Sequence, residues 1–318
     1  MCILTVLLTF LASHRLYVTM VQPTYKVSKR LLKELLTEER YSKLRSFYHK
    51  TYRHLTNSKL PGFLSKLPDF IILGAQKCGT SSLYSYLSYH PQVIPASRKK
   101  VHFFDNNFDK VAQWYRKHFP SVVRMVSGEY ITGEASPYYL YHPRVARRIS
   151  NVVPDAKLII LLRDPVDRAI SHYWHEVTYC EAEELPMKEA IEREEKRLEG
   201  EEERLLSEKD YYSFKHQHFS YLSRGKYISQ IERFREHFDD ESILIIKSER
   251  FFEETQNVYD DVTDLLNIDR YIIDVAETKM EGEYKRDTPQ SIRSSLEEYY
   301  SEQKDQIEEE LGISFEQS

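Results

Sequence analysis

Glycine is scarce in this chain, at 9 of 318 residues. Each glycine therefore points to a local backbone need, a tight turn or a close approach, because the residue is otherwise entropically costly to order. Cysteine is scarcer still. Cys2, Cys78 and Cys180 stand far apart and form no Cys-x-x-Cys pair, which argues against a disulfide framework and the common zinc spacings. There is no Asn-x-Ser/Thr sequon, an absence that speaks against a glycosylated lumenal chain. Positive charge is not in excess either. The formal net charge is −5, so the whole molecule is not a general nucleic-acid binder, and any anion site must be local. An uninterrupted apolar run of the ~20 residues that a membrane span needs is also missing. Residues 1–12 are uncharged, but His14 and Arg15 follow, and the basic start of a signal peptide is absent. Two readings stay open here: a membrane anchor over residues 1–21, or an apolar lead into a surface helix.

What is present suits one large domain with an extension. Hydrophobic residues make up 41%, enough for a real core. Residues 24–66 are rich in Lys and Arg, with Leu31, Leu32, Leu35 and Leu36 at helical spacing, and end at Pro61-Gly62. They read as a basic helical stem, either solvated or lying on anionic lipid. The folded domain is expected over 67–318. Apolar runs at 70–73, 157–162 and 242–247 read as buried parallel strands. The first two are followed by turns and by helical stretches at 81–89 and 166–176. Strands alternating with helices predict an α/β fold, a central parallel sheet of the P-loop kind with helices on both faces. Residues 181–210, dense in Glu, Lys and Arg, predict an exposed helical insertion. Residues 289–312 predict a helical tail.

The chemistry concentrates after the first strand. Phe70-Ile-Ile-Leu runs into Gly74-Ala-Gln-Lys77-Cys78-Gly79-Thr80-Ser81-Ser82. Unpaired amides at a helix start converge on one spot, where the helix dipole is positive. Gly74 and Gly79 let backbone approach an anion, Thr80, Ser81 and Ser82 add hydroxyls, and Lys77 adds a charge. Residues 74–82 thus suit phosphate-like oxygens. The register is not that of a nucleotide P-loop, which needs Gly-x4-Gly-Lys-Ser/Thr. Here Lys77 precedes Gly79 and no Lys follows it, which disfavours a Mg²⁺-dependent kinase or NTPase. A second strand-turn-helix, from Lys157 to Tyr173, places Arg163 at the end of a buried strand and Ser171 on the next helix. An open α/β sheet binds ligands at that edge, and the guanidinium fork matches phosphate.

Residues 74–83 resemble the 5′-phosphosulfate loop of the sulfotransferases that use 3′-phosphoadenosine 5′-phosphosulfate (PAPS). The second unit resembles their 3′-phosphate motif. Further similar text includes His90-Pro91, His102-Phe-Phe, Gly133-Glu134-Ala-Ser136-Pro137, Arg224-Gly225-Lys226-Tyr227 and Ser248-Glu249. The resemblance runs from about residue 68 to 312 and is greatest to the glycan type, heparan sulfate enzymes and their microbial relatives. It implies metal-independent transfer of a sulfuryl group from PAPS to a hydroxyl or amine of a carbohydrate-type acceptor. Lys77 would stabilise the leaving phosphate. Gly74, Lys77, Cys78, Gly79, Thr80, Ser81 and Ser82 would cradle the phosphosulfate, Arg163 and Ser171 would hold the 3′-phosphate, and Lys285 or Arg286 would close over the cofactor. Arg98, Lys99 and Lys100 suit an acidic glycan.

One position departs from that family. Its Lys-Glu-x-His/Gln-Phe-Phe segment supplies a glutamate base, whereas this chain reads Lys99-Lys100-Val-His102-Phe-Phe. An ordinary lysine is neutral in only ~1 of 2,500 molecules at pH 7, so Lys100 is not expected to take the acceptor proton. His102 and Glu134 are the candidates. The departure also supports a second reading, a PAPS-binding protein with weak turnover. The expected location is cytoplasmic or peripheral to the membrane in a prokaryote, and a Golgi membrane with one span in a eukaryote.

Overall fold

The computed structural model of the chain describes residues 64–122, 129–273 and 288–315. The anchor and all but the last residues of the stem lie outside the described residues, as do Lys285 and Arg286.

Strands β1 (Phe70–Gly74), β2 (Gly133–Ala135), β3 (Lys157–Leu162) and β4 (Ile243–Lys247) form a parallel sheet in the order β2-β1-β3-β4. Phe70 lies opposite both Gly133 and Lys157, and Leu158 opposite Ile243. The central strands are apolar without alternation because both of their faces are covered. All of β1 is buried, and residues 158–162 have no exposed surface. The sequence reading did not anticipate β2. Gly-Glu-Ala has no apolar period, and only pairing with β1 makes it a strand.

The helices are α1 (Thr80–Tyr89), α2 (Ala112–Arg116), α3 (Val145–Val152), α4 (Pro165–Thr178), α5 (Met187–Glu192), α6 (Glu194–Leu198), α7 (Glu201–Ser207), α8 (Phe214–His218), α9 (Tyr227–Arg235), α10 (Ser248–Glu253), α11 (Thr255–Leu265) and α12 (Gln290–Leu311). Local chemistry starts and stops them. The Asp164 carboxylate accepts from the amides of Val166 (2.8 Å) and Asp167 (3.3 Å), with Pro165 as the first helical residue of α4. Gly312, in the left-handed region at φ 66°, ends α12. A main core surrounds the sheet. A smaller one joins α4, α5 and α12 through Val166, Tyr173, Met187, Leu296 and Tyr300.

The acidic stretch 181–210 differs from its expectation. It is helical in pieces, but three of its carboxylates are buried. Glu194 accepts from the Leu222 and Ser223 amides, Glu201 from Tyr211 and Ser213, and Glu183 from Tyr221 and Arg197. Composition reads as solvated charge; apart from Arg197, the partners of these buried groups come from residues 211–223.

Because the strands are parallel, Gly74 at the end of β1, and Arg163 and Ser248 just after β3 and β4, lie on one edge of the sheet. The candidate site is there.

Candidate active site

The loop after β1 is shaped by two glycines. A Cβ on Gly74 would lie 2.9 Å from Leu140 Cβ and 3.0 Å from the Pro137 carbonyl oxygen. Gly79 sits at φ 89° as the N-cap of α1, and a Cβ there would meet Phe252 at 2.9 Å. The first helical bonds run from the Ser82 and Leu83 amides to the Gly79 carbonyl (3.0 and 3.1 Å). The Thr80 and Ser81 amides therefore donate to no carbonyl of the described residues and open toward the loop. Arg224, buried against Tyr138 and Tyr141, donates to Gln76 Oε1 and braces the loop from below. Ser248 Oγ donates to the Cys78 carbonyl at 2.7 Å. The Cys78 side chain does not line the site, so the expected contact of this residue falls to its backbone. It is fully buried, and burial raises its thiol pKa to about 11, so only its backbone faces the loop.

Basic side chains converge above this loop. Lys99 Nζ donates to Ser81 Oγ. Burial, then Lys100 and Lys77, bring the Lys99 ammonium down to about 7. Burial, then Lys100 and Arg163, also lower the pKa of Lys77, while Glu176 and Cys180 act the other way. Mutual depression of this kind marks a pocket of like charge that an anion would relieve. Lys77 (φ 74°), Lys100 (φ 59°) and His102 (φ 53°) all occupy the left-handed region, which is sparsely populated by such residues. The turn is held from β2: Lys100 N donates to the Ala135 carbonyl (3.1 Å), Val101 N to Glu134 Oε2 (3.2 Å) and His102 N to Ser136 Oγ (3.3 Å).

Glu134 is consequently not placed as a base. It has no exposed surface, and it accepts from Tyr115 Oη (2.7 Å), Tyr139 Oη (3.1 Å), Ser136 Oγ (2.8 Å) and the Val101 amide. Burial raises its pKa against those three hydroxyl bonds. It supports the Lys100–Val101–His102 turn from beneath. His102 is half-buried, with Nδ1 2.6 Å from Asp105 Oδ2.

Arg163 follows β3 directly and pairs with Asp167 at 3.6 Å, which in turn takes Arg293 at 2.9 Å. Ser171 is half-buried nearly two turns into α4. Arg163 stands in the electrostatic reach of Lys77.

Sequence reasoning missed the groups that α4 adds. His172, His175 and Glu176 share one face of the helix by their spacing, which was the available signal. Glu176 Oε1 is 3.2 Å from His172 Nε2, and Oε2 is 2.7 Å from His218 Nδ1. His175, Glu176 and Cys180 each bring one donor atom within 4.8 Å of the others. Lys77 and Lys100 stand beside them, and their charges oppose a dication there.

Residues 67–311 match the sulfotransferase domain family. The chain belongs to that family and is a sulfotransferase by fold and by sequence. It is 27% identical to the membrane-associated sulfotransferase kil1 of Dictyostelium discoideum, over 80% of this chain and 67% of that protein. It is 32% identical to human heparan sulfate glucosamine 3-O-sulfotransferase 3B1, over 66% of this chain and 48% of that protein. The chain thus spans two-thirds of the first relative and about half of the second. A solved sulfotransferase from Alicyclobacillus acidocaldarius superposes with a TM-score of 0.62 at 29% identity, covering 79% of this chain and 98% of that one. The family works with a sulfate donor as co-substrate, which agrees with an anion loop out of register for a nucleotide kinase. Among the described residues no helix is long and apolar enough to cross a membrane.

Proposed function

We propose that the chain transfers a sulfuryl group from PAPS to a hydroxyl or amine of an acidic carbohydrate. The observation that carries this reading is the convergence of Lys77, Lys99, Lys100 and Arg163 on the open helix start at Thr80 and Ser81. Two anion sites on one sheet edge suit a donor with phosphates at both ends of a ribose. Lys77 lies where charge develops on the leaving phosphate, Thr80, Ser81 and Ser82 hold its oxygens, and Arg163 with Ser171 takes the 3′-phosphate. His102, oriented by Asp105, stands on the acceptor side with Arg98. The heparan sulfate relatives support a glycan acceptor. Calorimetry with adenosine 3′,5′-bisphosphate tests the donor site, and radiolabelled transfer over a glycan panel tests the acceptor. Absence of bisphosphate binding would falsify the reading.

Two further results are expected. The Lys99 ammonium is held near neutrality by burial and by Lys100 and Lys77, and a bound polyanion raises its pKa. Bisphosphate binding at pH 7.5 therefore takes up about half a proton. Calorimetry in buffers of different ionisation enthalpy reads this uptake, and Lys99→Met removes it. Lys100→Glu places a carboxylate beside Lys77 and is expected to weaken bisphosphate binding about tenfold. Tighter binding in this variant would overturn the charge argument, and faster turnover would mean that an acidic base had been restored.

A further inference from the structure

The family's glutamate position holds Lys100, so the acceptor proton needs another destination. Four observations place one next to Lys77. First, Glu176 on α4 is 1% exposed and keeps its carboxylate charge: burial pushes its pKa up, but the His172 ring 3.2 Å away and the hydrogen bond from His218 outweigh this and hold it below the usual range. Second, that carboxylate is an electrostatic neighbour of Lys77. Third, Arg224 clamps the two segments together. It donates to Gln76 Oε1, next to Lys77, and to the Gln217 carbonyl, next to His218. Fourth, the His218 ring is fixed by stacking on Phe214 at 4.3 Å and by the 2.7 Å bond from Nδ1 to Glu176.

The consequence is a set tautomer. Glu176 accepts the Nδ1 proton, so Nε2 of His218 carries the lone pair. The contact to Glu176 uses Nδ1 and leaves Nε2 out of it, and the side chain keeps 18% of its surface exposed. The neighbouring loop is within reach too, since Asn106 Nδ2 donates to Gln217 Oε1 at 3.0 Å. His218 therefore stands between the phosphosulfate loop and the 102–107 segment. His102 and Asp105 form a comparable pair; of the two pairs, only the Glu176 carboxylate stands among the groups that act on Lys77.

We infer that His218 is the general base of sulfuryl transfer, with Glu176 as its positioning residue, in place of the glutamate that Lys100 displaces. The inference rests on the PAPS reading above. As the acceptor oxygen bonds to sulfur, its proton passes to His218 Nε2. The bond from sulfur to the bridging oxygen breaks, and its electron pair leaves on the phosphate beside Lys77. The proton then passes to water, so the reaction yields sulfated acceptor, adenosine 3′,5′-bisphosphate and H⁺.

The test compares His218→Gln, Glu176→Gln and His102→Gln in the full chain, with bisphosphate binding and single-turnover transfer measured separately. His218→Gln is expected to lower kcat about 100-fold, with bisphosphate affinity within about threefold of the parent. Glu176→Gln is expected to lower kcat about tenfold without weakening the bisphosphate, since the role is orientation. Added imidazole is expected to restore part of the rate in His218→Ala, a response that a packing role would not give. A His218→Gln variant that turns over normally while His102→Gln loses the rate overturns the inference and leaves the PAPS reading standing. A parent chain that neither binds bisphosphate nor transfers sulfate overturns both.

Discussion

Lys77→Ala is expected to lower kcat about 10³-fold while weakening adenosine 3′,5′-bisphosphate by no more than about tenfold. The asymmetry follows from where the charge is used. In the bound donor the bridging oxygen is only partly charged; when the bond to sulfur breaks, that oxygen becomes part of a full phosphate anion. A donor fixed in advance at this atom contributes more to the transition state than to the ground state. Lys77 is fixed in advance, with its backbone held at φ 74° between Gln76, which Arg224 braces, and Cys78, whose carbonyl takes Ser248. Its neighbours Lys100 and Arg163 also make its charge costly in the free protein, so an arriving anion relieves it. Single-turnover rates with saturating PAPS, beside calorimetric affinities, separate the two effects. Equal losses in affinity and in kcat/KM, with kcat unchanged, would show uniform binding instead.

Glu134→Ala is expected to act on stability, by about 3–5 kcal/mol. The carboxylate is fully buried and gathers Tyr115, Tyr139, Ser136 and the Val101 amide. Its removal leaves four donors without an acceptor and a void beneath the turn that carries Lys100 and His102. Against a total stability of roughly 5–15 kcal/mol, this shift moves the denaturant midpoint strongly. Glu134→Gln keeps one acceptor oxygen and is expected to lose less. A Glu134→Ala chain with an unchanged midpoint and a lost kcat would return the residue to a catalytic role.

The same glutamate shows where sequence reasoning stops. An acidic residue in Gly-Glu-Ala-Ser beside the anion loops reads as chemistry, because spacing says nothing about which way a side chain points. Two tyrosines, one of them 19 residues away in α2, decide that it is structural. Cys78 is a parallel case. Its place in the loop suggests a ligand contact, but the loop turns the thiol into the core. Conversely, His218 lies in a polar stretch with no motif around it. Its partner Glu176 lies 42 residues earlier, and only the packing of α8 against α4 brings them together.

By itself the sequence determined the parallel α/β sheet, the two strand-turn-helix units and the glycine-bearing turn with Lys77. Each of these depends on residues close together in the chain: an apolar run buried on both faces, glycines at a turn, amides left open at a helix start. Only the tertiary structure decided that β2 is a strand, that the acidic insertion is pinned by buried carboxylates, and that Lys99, Lys100, Arg163 and Glu176 surround Lys77. Those facts depend on distances between segments tens of residues apart. Burial and Coulomb interaction act through space, and neither leaves a period in the sequence.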